Sequence, residues 1–166
     1  RYENSGDLTA QGEFIMHGDL SRTDDRLDLG INLLPSSVHM NSREWNIMPS
    51  SIDILGKELI VNSFELYSGE QKISMTGRTS QTVSDTLTLS LDRFDISILN
   101  PLIGQNLGIK GAVTGNIDLL TSRSGKKLFI DLLADSTHIA GKPLGTVMAE
   151  CLWNEEFERF DIGIRN

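Results

Sequence analysis

The chain has 166 residues, enough for one domain with a core or for one segment of a longer polypeptide. Its 15 Lys and Arg stand against 23 Asp and Glu, and the resulting net charge of -8 disfavours nucleic acid and anionic headgroups as non-specific partners. Aromatic residues make up only 6% of the chain, which argues against a stacking platform for sugars or single-stranded nucleic acid.

From Leu8 the chain alternates with a period of two. Leu8, Ala10, Phe14, Met16 and Leu20 are apolar, while Thr9, Gln11, Glu13, His17 and Asp19 fall between them. Ser21 to Asp25 is expected to turn the chain into a second strand carrying Leu27, Leu29, Ile31 and Leu33, which Pro35 ends because proline cannot donate to a ladder. These two runs are expected to form a hairpin. Shorter strands follow around Val38 and Met40, Trp45 and Ile47, Ile52 and Ile54, and Leu59 and Val61. After Asn62 the apolar phase slips from odd positions to the even Phe64 and Leu66, the signature of a β-bulge, and Ile73 and Met75 then lead to Gly77.

The second half is longer-stranded. Its apolar sets are Leu87, Leu89 and Leu91; Leu107 to Leu119 (LGIKGAVTGNIDL); Leu128, Ile130, Leu132 and Ala134; Val147, Ala149, Cys151 and Trp153; and Phe160, Ile162 and Ile164. The glycines at 108, 111 and 115 mark bends or bulges inside a strand rather than a nucleotide loop, because no helical pattern follows them. Only Phe94 to Ile103 departs from period two, and one short helix or turn is expected there, ended by Gly104. The sum is an all-β antiparallel meander of about ten or eleven strands with no linker composition to divide it. Residues 1–166 therefore read as a single β-rich segment, and the start at Arg1 together with the end just after Ile164 suggests a piece of a longer protein.

Catalytic chemistry has little to stand on. His17, His39 and His138 sit on different predicted strands, and the chain lacks HExxH, paired cysteines and a Gly-x-Ser-x-Gly elbow. No enzyme, metal or cofactor is expected. Asp24-Asp25, Glu155-Glu156 and the Asp92/Asp95 pair lie where turns are expected and read as solvated acidic turns; a calcium loop at Thr23 to Asp25 would lack its alternating ligands. Cys151, the lone cysteine, reads as a small buried hydrophobe, and Trp45 and Trp153 as core or rim anchors. No apolar run approaches the roughly 20 residues that span a bilayer, and the first residues lack a signal-peptide pattern, so a membrane anchor is expected outside this chain.

Three stretches, REWNIMPSSIDILGKELIVNSFELYSGEQKISMTG, TLTLSLDRF and RFDISILNPLIGQNLGIKGAVTGNIDL, resemble the repetitive β region of the TamB proteins, within the wider AsmA-like family of periplasmic bridge proteins. The resemblance covers about residues 40 to 160. Its most specific parts are the Trp45 strand, the Phe94 to Pro101 turn followed by Gly111-x-x-x-Gly115, and Gly141-Lys142-Pro143-Leu144-Gly145 before Trp153. The terminal region by which such proteins are usually recognised is absent from these residues.

The resemblance implies a long antiparallel sheet curled into an open, β-taco-like trough, hydrophobic inside and polar outside. It also implies a periplasmic protein anchored in the inner membrane and reaching the outer one, passing phospholipid acyl chains and working with an outer-membrane β-barrel insertase (TamA-like) in outer-membrane protein assembly. The expected groove lining is Leu27, Leu29, Ile31, Leu87, Leu89, Leu91, Ile109, Val113, Ile117, Leu128, Ile130 and Leu132. Edge-to-edge self-association is expected of a sheet cut from a longer one. Two alternatives give the same alternation: a closed β-sandwich adhesin or scaffold, and a strand-pairing chaperone surface for β-barrel substrates.

Overall fold

The computed structural model describes residues 10–23, 26–40, 43–100, 108–123, 125–154 and 159–165. Thirteen strands form one antiparallel sheet. They are β1 (Ala10–Glu13), β2 (Met16–Thr23), β3 (Arg26–Leu33), β4 (Ser36–Met40), β5 (Arg43–Ile47), β6 (Ser50–Leu55) and β7 (Glu58–Ser68), followed by β8 (Gln71–Thr79), β9 (Asp85–Asp95), β10 (Lys110–Ser122), β11 (Gly125–Ile139), β12 (Lys142–Asn154) and β13 (Arg159–Arg165). Among the described residues a 3-10 turn, Ile96–Leu99, interrupts them, capped by the Asp95 carboxylate accepting from the Ser97 amide. The expected turn at Phe94 to Ile103 is thus present in its first half; residues 101–107 and the acidic pairs Asp24-Asp25 and Glu155-Glu156 lie outside the described residues.

Thirteen strands stand where ten or eleven are expected; the run from Leu8 to Leu20, read as one strand, is broken, and it is one of three long runs that divide in the middle. β1 continues into β2 across Phe14-Ile15, β3 into β4 across Leu34-Pro35, and β5 into β6 across Met48-Pro49. The ladder survives each break: the Leu34 amide donates to the Ile15 carbonyl and the Met48 amide to the Glu65 carbonyl. Thirteen strands less three breaks leaves ten runs, and each run pairs with the next in sequence. A one-residue slip in phase accompanies the breaks, because odd residues in β3 (Leu29, Ile31, Leu33) share a face with even residues in β4 (Ser36, Val38). β7 absorbs the same slip without breaking. Its register jumps between Val61 and Phe64, with Ser63 at φ 53, which is the bulge expected after Asn62.

The second bulge line runs through Arg93 (φ 50) in β9 and Ser136 (φ 54) in β11. Between them β10 makes its close approach at Gly115. A Cβ there would stand 2.1 Å from the Asp131 carbonyl oxygen, and the φ of +143 is one that side-chain-bearing residues rarely adopt. Glycine in this strand is therefore a requirement of β10–β11 pairing.

The sheet is open: among the described residues β13 pairs only with β12, β2 only with β3 and β1 only with β4. The chain exposes 11233 Å² of surface, against about 8,200 Å² for a compact monomer of its mass. Among the described residues all strands belong to one sheet. The buried apolar side chains among these residues are few: Leu33, Trp45, Ile47, Val61, Phe94, Val113 and Cys151.

Candidate functional site

Because cross-strand partners point to the same side of a sheet, the registers assign every run's alternate residues to one of two faces. One row on the first face runs Phe64, Met75, Leu89, Ile117, Ile130, Cys151 across β7 to β12. The next runs Leu66, Ile73, Leu91, Gly115, Leu132, Ala149, and a third joins Leu87, Leu119 and Leu128. On the other side of β7 the same face carries Leu59 and Val61, then Ile54 and Ile52, then Leu29 and Ile31, and Leu20 at the rim. The bulges keep this face apolar, since each slip in backbone register coincides with the slip in the sequence pattern.

The opposite face is mostly polar, as in the row Glu65, Ser74, Ser90, Asn116, Asp131, Glu150. Thr88 donates to the Asp118 carboxylate at 2.6 Å there, and Lys72 pairs with Glu65 at 2.8 Å. Leu120, Phe129, Leu133 and Met148 depart from the pattern and lie on this polar face. Alternation in the sequence hides them, because each is adjacent to the apolar residue that carries the period.

Of the expected lining residues, Leu87, Leu89, Leu91, Ile117, Leu128, Ile130 and Leu132 are brought together on β9, β10 and β11, each half-buried. Leu27, Leu29 and Ile31 share the face but sit on β3, separated from β9 by β6, β7 and β8, and Leu27 is 55% exposed near the rim. Val113 is buried and packs beside Phe94, its cross-strand partner, so it belongs to the core. Ile109 precedes β10 and is clamped by Asn100, whose side-chain amide donates to its carbonyl and whose oxygen accepts from its amide, both at 2.8 Å. The residues that join the two halves of the expected lining, Ile52, Leu59, Phe64, Leu66, Ile73 and Met75, carry the same alternation and are legible in the sequence as strands but not as lining.

Both ends of this face are tied. At one end the Trp45 and Phe94 rings meet, 6.2 Å apart, and Arg43 reaches Asp95 at 3.0 Å. At the other, the β8–β9 connection folds back so that the Ser80 amide donates to Thr121 Oγ1 at 2.8 Å and Arg123 Nε donates to the Thr82 carbonyl at 2.7 Å. Among the described residues, no group of His, Cys, Asp and Glu could hold a metal, and no helix is long and apolar enough to cross a membrane. No family model, no curated protein and no solved structure matches the chain.

Proposed function

We propose that the chain is a lipid-shielding segment of a TamB-like, AsmA-like bridge protein, in which the apolar face receives phospholipid acyl chains between the inner and outer membranes. The observation that carries this is the apolar face shared by successive runs of one open sheet. Each methylene transferred from water onto such a wall gains about 0.8 kcal/mol, so a 16-carbon chain gains on the order of 12 kcal/mol before fit and entropy are subtracted. Leu, Ile and Met side chains offer contacts without direction, which suits sliding rather than capture. Ten runs spaced about 4.8 Å apart extend roughly 45 Å, a length that serves one station of a longer path. In this reading the setting is the periplasm and the partner of the longer protein is a β-barrel insertase. The free edges of β2 and β13 favour strand pairing as a second role.

The test is a pair of photo-crosslinkers on β9. One at Leu89, on the apolar face, is expected to capture phospholipid from vesicles of phosphatidylethanolamine and phosphatidylglycerol; one at the neighbouring Ser90 is not. Ile117→Asp is expected to leave the chain folded, because the carboxylate stays hydrated on an open wall, while abolishing capture at Leu89. Unfolding by Ile117→Asp, with no capture at either position, would overturn the proposal.

A further inference from the structure

Proline has no amide to give to a ladder, and two prolines flank the β4–β5 hairpin, Pro35 just before β4 and Pro49 just after β5. Among the described residues β5 pairs with β7 at Asn46 and Ile47 only, and the Met48 amide adds one bond to the Glu65 carbonyl. From Trp45 back to Arg43 the strand has β4 on one side and no ladder on the other. A cavity of about 590 Å³ stands where that ladder would continue, lined by Arg43 of β5, Glu70 of the β7–β8 turn, and Arg93 and Asp95 of β9 among others. The hairpin reaches past it to β9 by side chains. The Trp45 and Phe94 rings meet with centroids 6.2 Å apart, and Arg43 reaches Asp95 at 3.0 Å.

We infer that the β4–β5 hairpin is a strap across the Phe94 end of the apolar face, and that it lifts about Leu34-Pro35 and Met48-Pro49 to uncover Phe94. β1, paired with β4, follows it by bending at Phe14-Ile15. Residues 43–45 have no ladder with β7 to break, so the fastening at the far end is a ring contact and one ion pair. That pair holds weakly, because its side chains are 47% and 31% exposed and solvent screens them. The closed position also carries a cost of its own. Trp45 is 1% exposed and its Nε1 has no acceptor among the described residues, so closing strips the indole N–H of water without replacing the bond. In the lifted position water bonds it again. Burial of the two rings keeps the closed position dominant, and the lifted one is a minor state a few strained positions away. Lifting adds Trp45 and Phe94 to the exposed apolar face, whatever that face receives.

The unpartnered indole N–H is also the reporter. Its exchange with deuterium is followed by NMR in the whole chain, its signal assigned by survival in Trp153→Phe, with the slowest β10–β11 amides as the measure of global unfolding. The indole is expected to exchange at least about tenfold faster than those amides and to depend less steeply on urea. Arg43→Gln is expected to speed it about two- to fivefold. Thr121→Val, which lies outside the strap, is expected to speed the slowest amides and leave the indole unchanged. Arg43→Cys joined to Asp95→Cys by a bismaleimide, in a Cys151→Ala background, is expected to slow the indole to the global rate. The parent and Arg43→Gln decide the matter even where the bridged chain does not fold. An indole that exchanges at the rate and with the urea slope of the slowest amides would overturn the inference. So would a fast indole that does not respond to Arg43→Gln, because water would then reach Trp45 without the strap moving.

Discussion

The rings of Trp45 and Phe94 lie 6.2 Å apart although β7 and β8 stand between their strands. Three interstrand steps in a flat sheet span about 14 Å, so the sheet must bend toward the apolar face for the rings to meet. Trp45 is 1% exposed and Phe94 9%, which makes this contact the anchor of the bend. Phe94→Ala is expected to lower stability by about 3–5 kcal/mol. Urea unfolding measures it, and in a Trp153→Phe background the Trp45 emission should shift to the red and become open to acrylamide quenching.

Glycine at 115 is a steric requirement that glycine at 163 is not. A Cβ on Gly115 would overlap the Asp131 carbonyl, whereas on Gly163 its nearest contact is Glu150 Oε2 at 3.8 Å. Gly115→Ala is therefore expected to disrupt β10–β11 pairing and cost several kcal/mol, and Gly163→Ala to stay within about 0.5 kcal/mol of the parent. Thermal melts of the two variants side by side decide it.

The alternation that makes one face apolar is legible in nearly every run, because period two is set by residue types alone. Strand number is not. The breaks at Phe14-Ile15 and Met48-Pro49 fall where the chain kinks while its ladder continues, so sequence patterning merges or divides runs without seeing the backbone bonds that cross the kink. The slip after Asn62 is legible because Phe64 and Leu66 change parity. The slip at Arg93 reads instead as the start of a helical turn, since Phe94 changes parity just before Ile96–Leu99. Which lining residues are covered is beyond the reach of pattern: Val113 and Ile117 have the same sequence context, and only the Phe94 ring opposite Val113 separates a buried residue from a half-buried one. The Arg43, Glu70, Arg93 and Asp95 cavity is invisible as well, because its members come from distant strands gathered by two bulges.

One buried hydroxyl is among the groups that hold the fold-back of the β8–β9 connection. Thr121 Oγ1 accepts from the Ser80 amide at 2.8 Å, with Thr121 2% and Ser80 5% exposed. Thr121→Val keeps the shape but leaves a buried amide without an acceptor, a cost of about 1–3 kcal/mol. Thr121→Ser keeps the oxygen and is expected to restore most of it. Hydrogen exchange at the Ser80 amide is the direct reading: fast in the Val variant, protected in the Ser variant.

Ser63 ties the sequence pattern most directly to the face. It sits at φ 53 inside the bulge where Val61 pairs with Gly77 and Phe64 with Met75, so three residues of β7 span what two residues of β8 span. Ser63→Gly relieves the left-handed cost and keeps the extra residue, and it is expected to leave stability unchanged or raise it by up to about 1 kcal/mol. Deleting Ser63 removes the extra residue. Every residue after it then reverses, sending Phe64 and Leu66 to the polar face and bringing Glu65 and Tyr67 onto the apolar one. Burying Glu65 away from Lys72, its partner at 2.8 Å, adds a charge to the cost. The deletion is expected to be destabilised by several kcal/mol or to fail to fold, while the glycine variant melts at or above the parent temperature. A deletion variant as stable as Ser63→Gly would mean that the apolar face does not depend on the bulge, and that the left-handed serine has no part in keeping Phe64 and Leu66 in line with Val61.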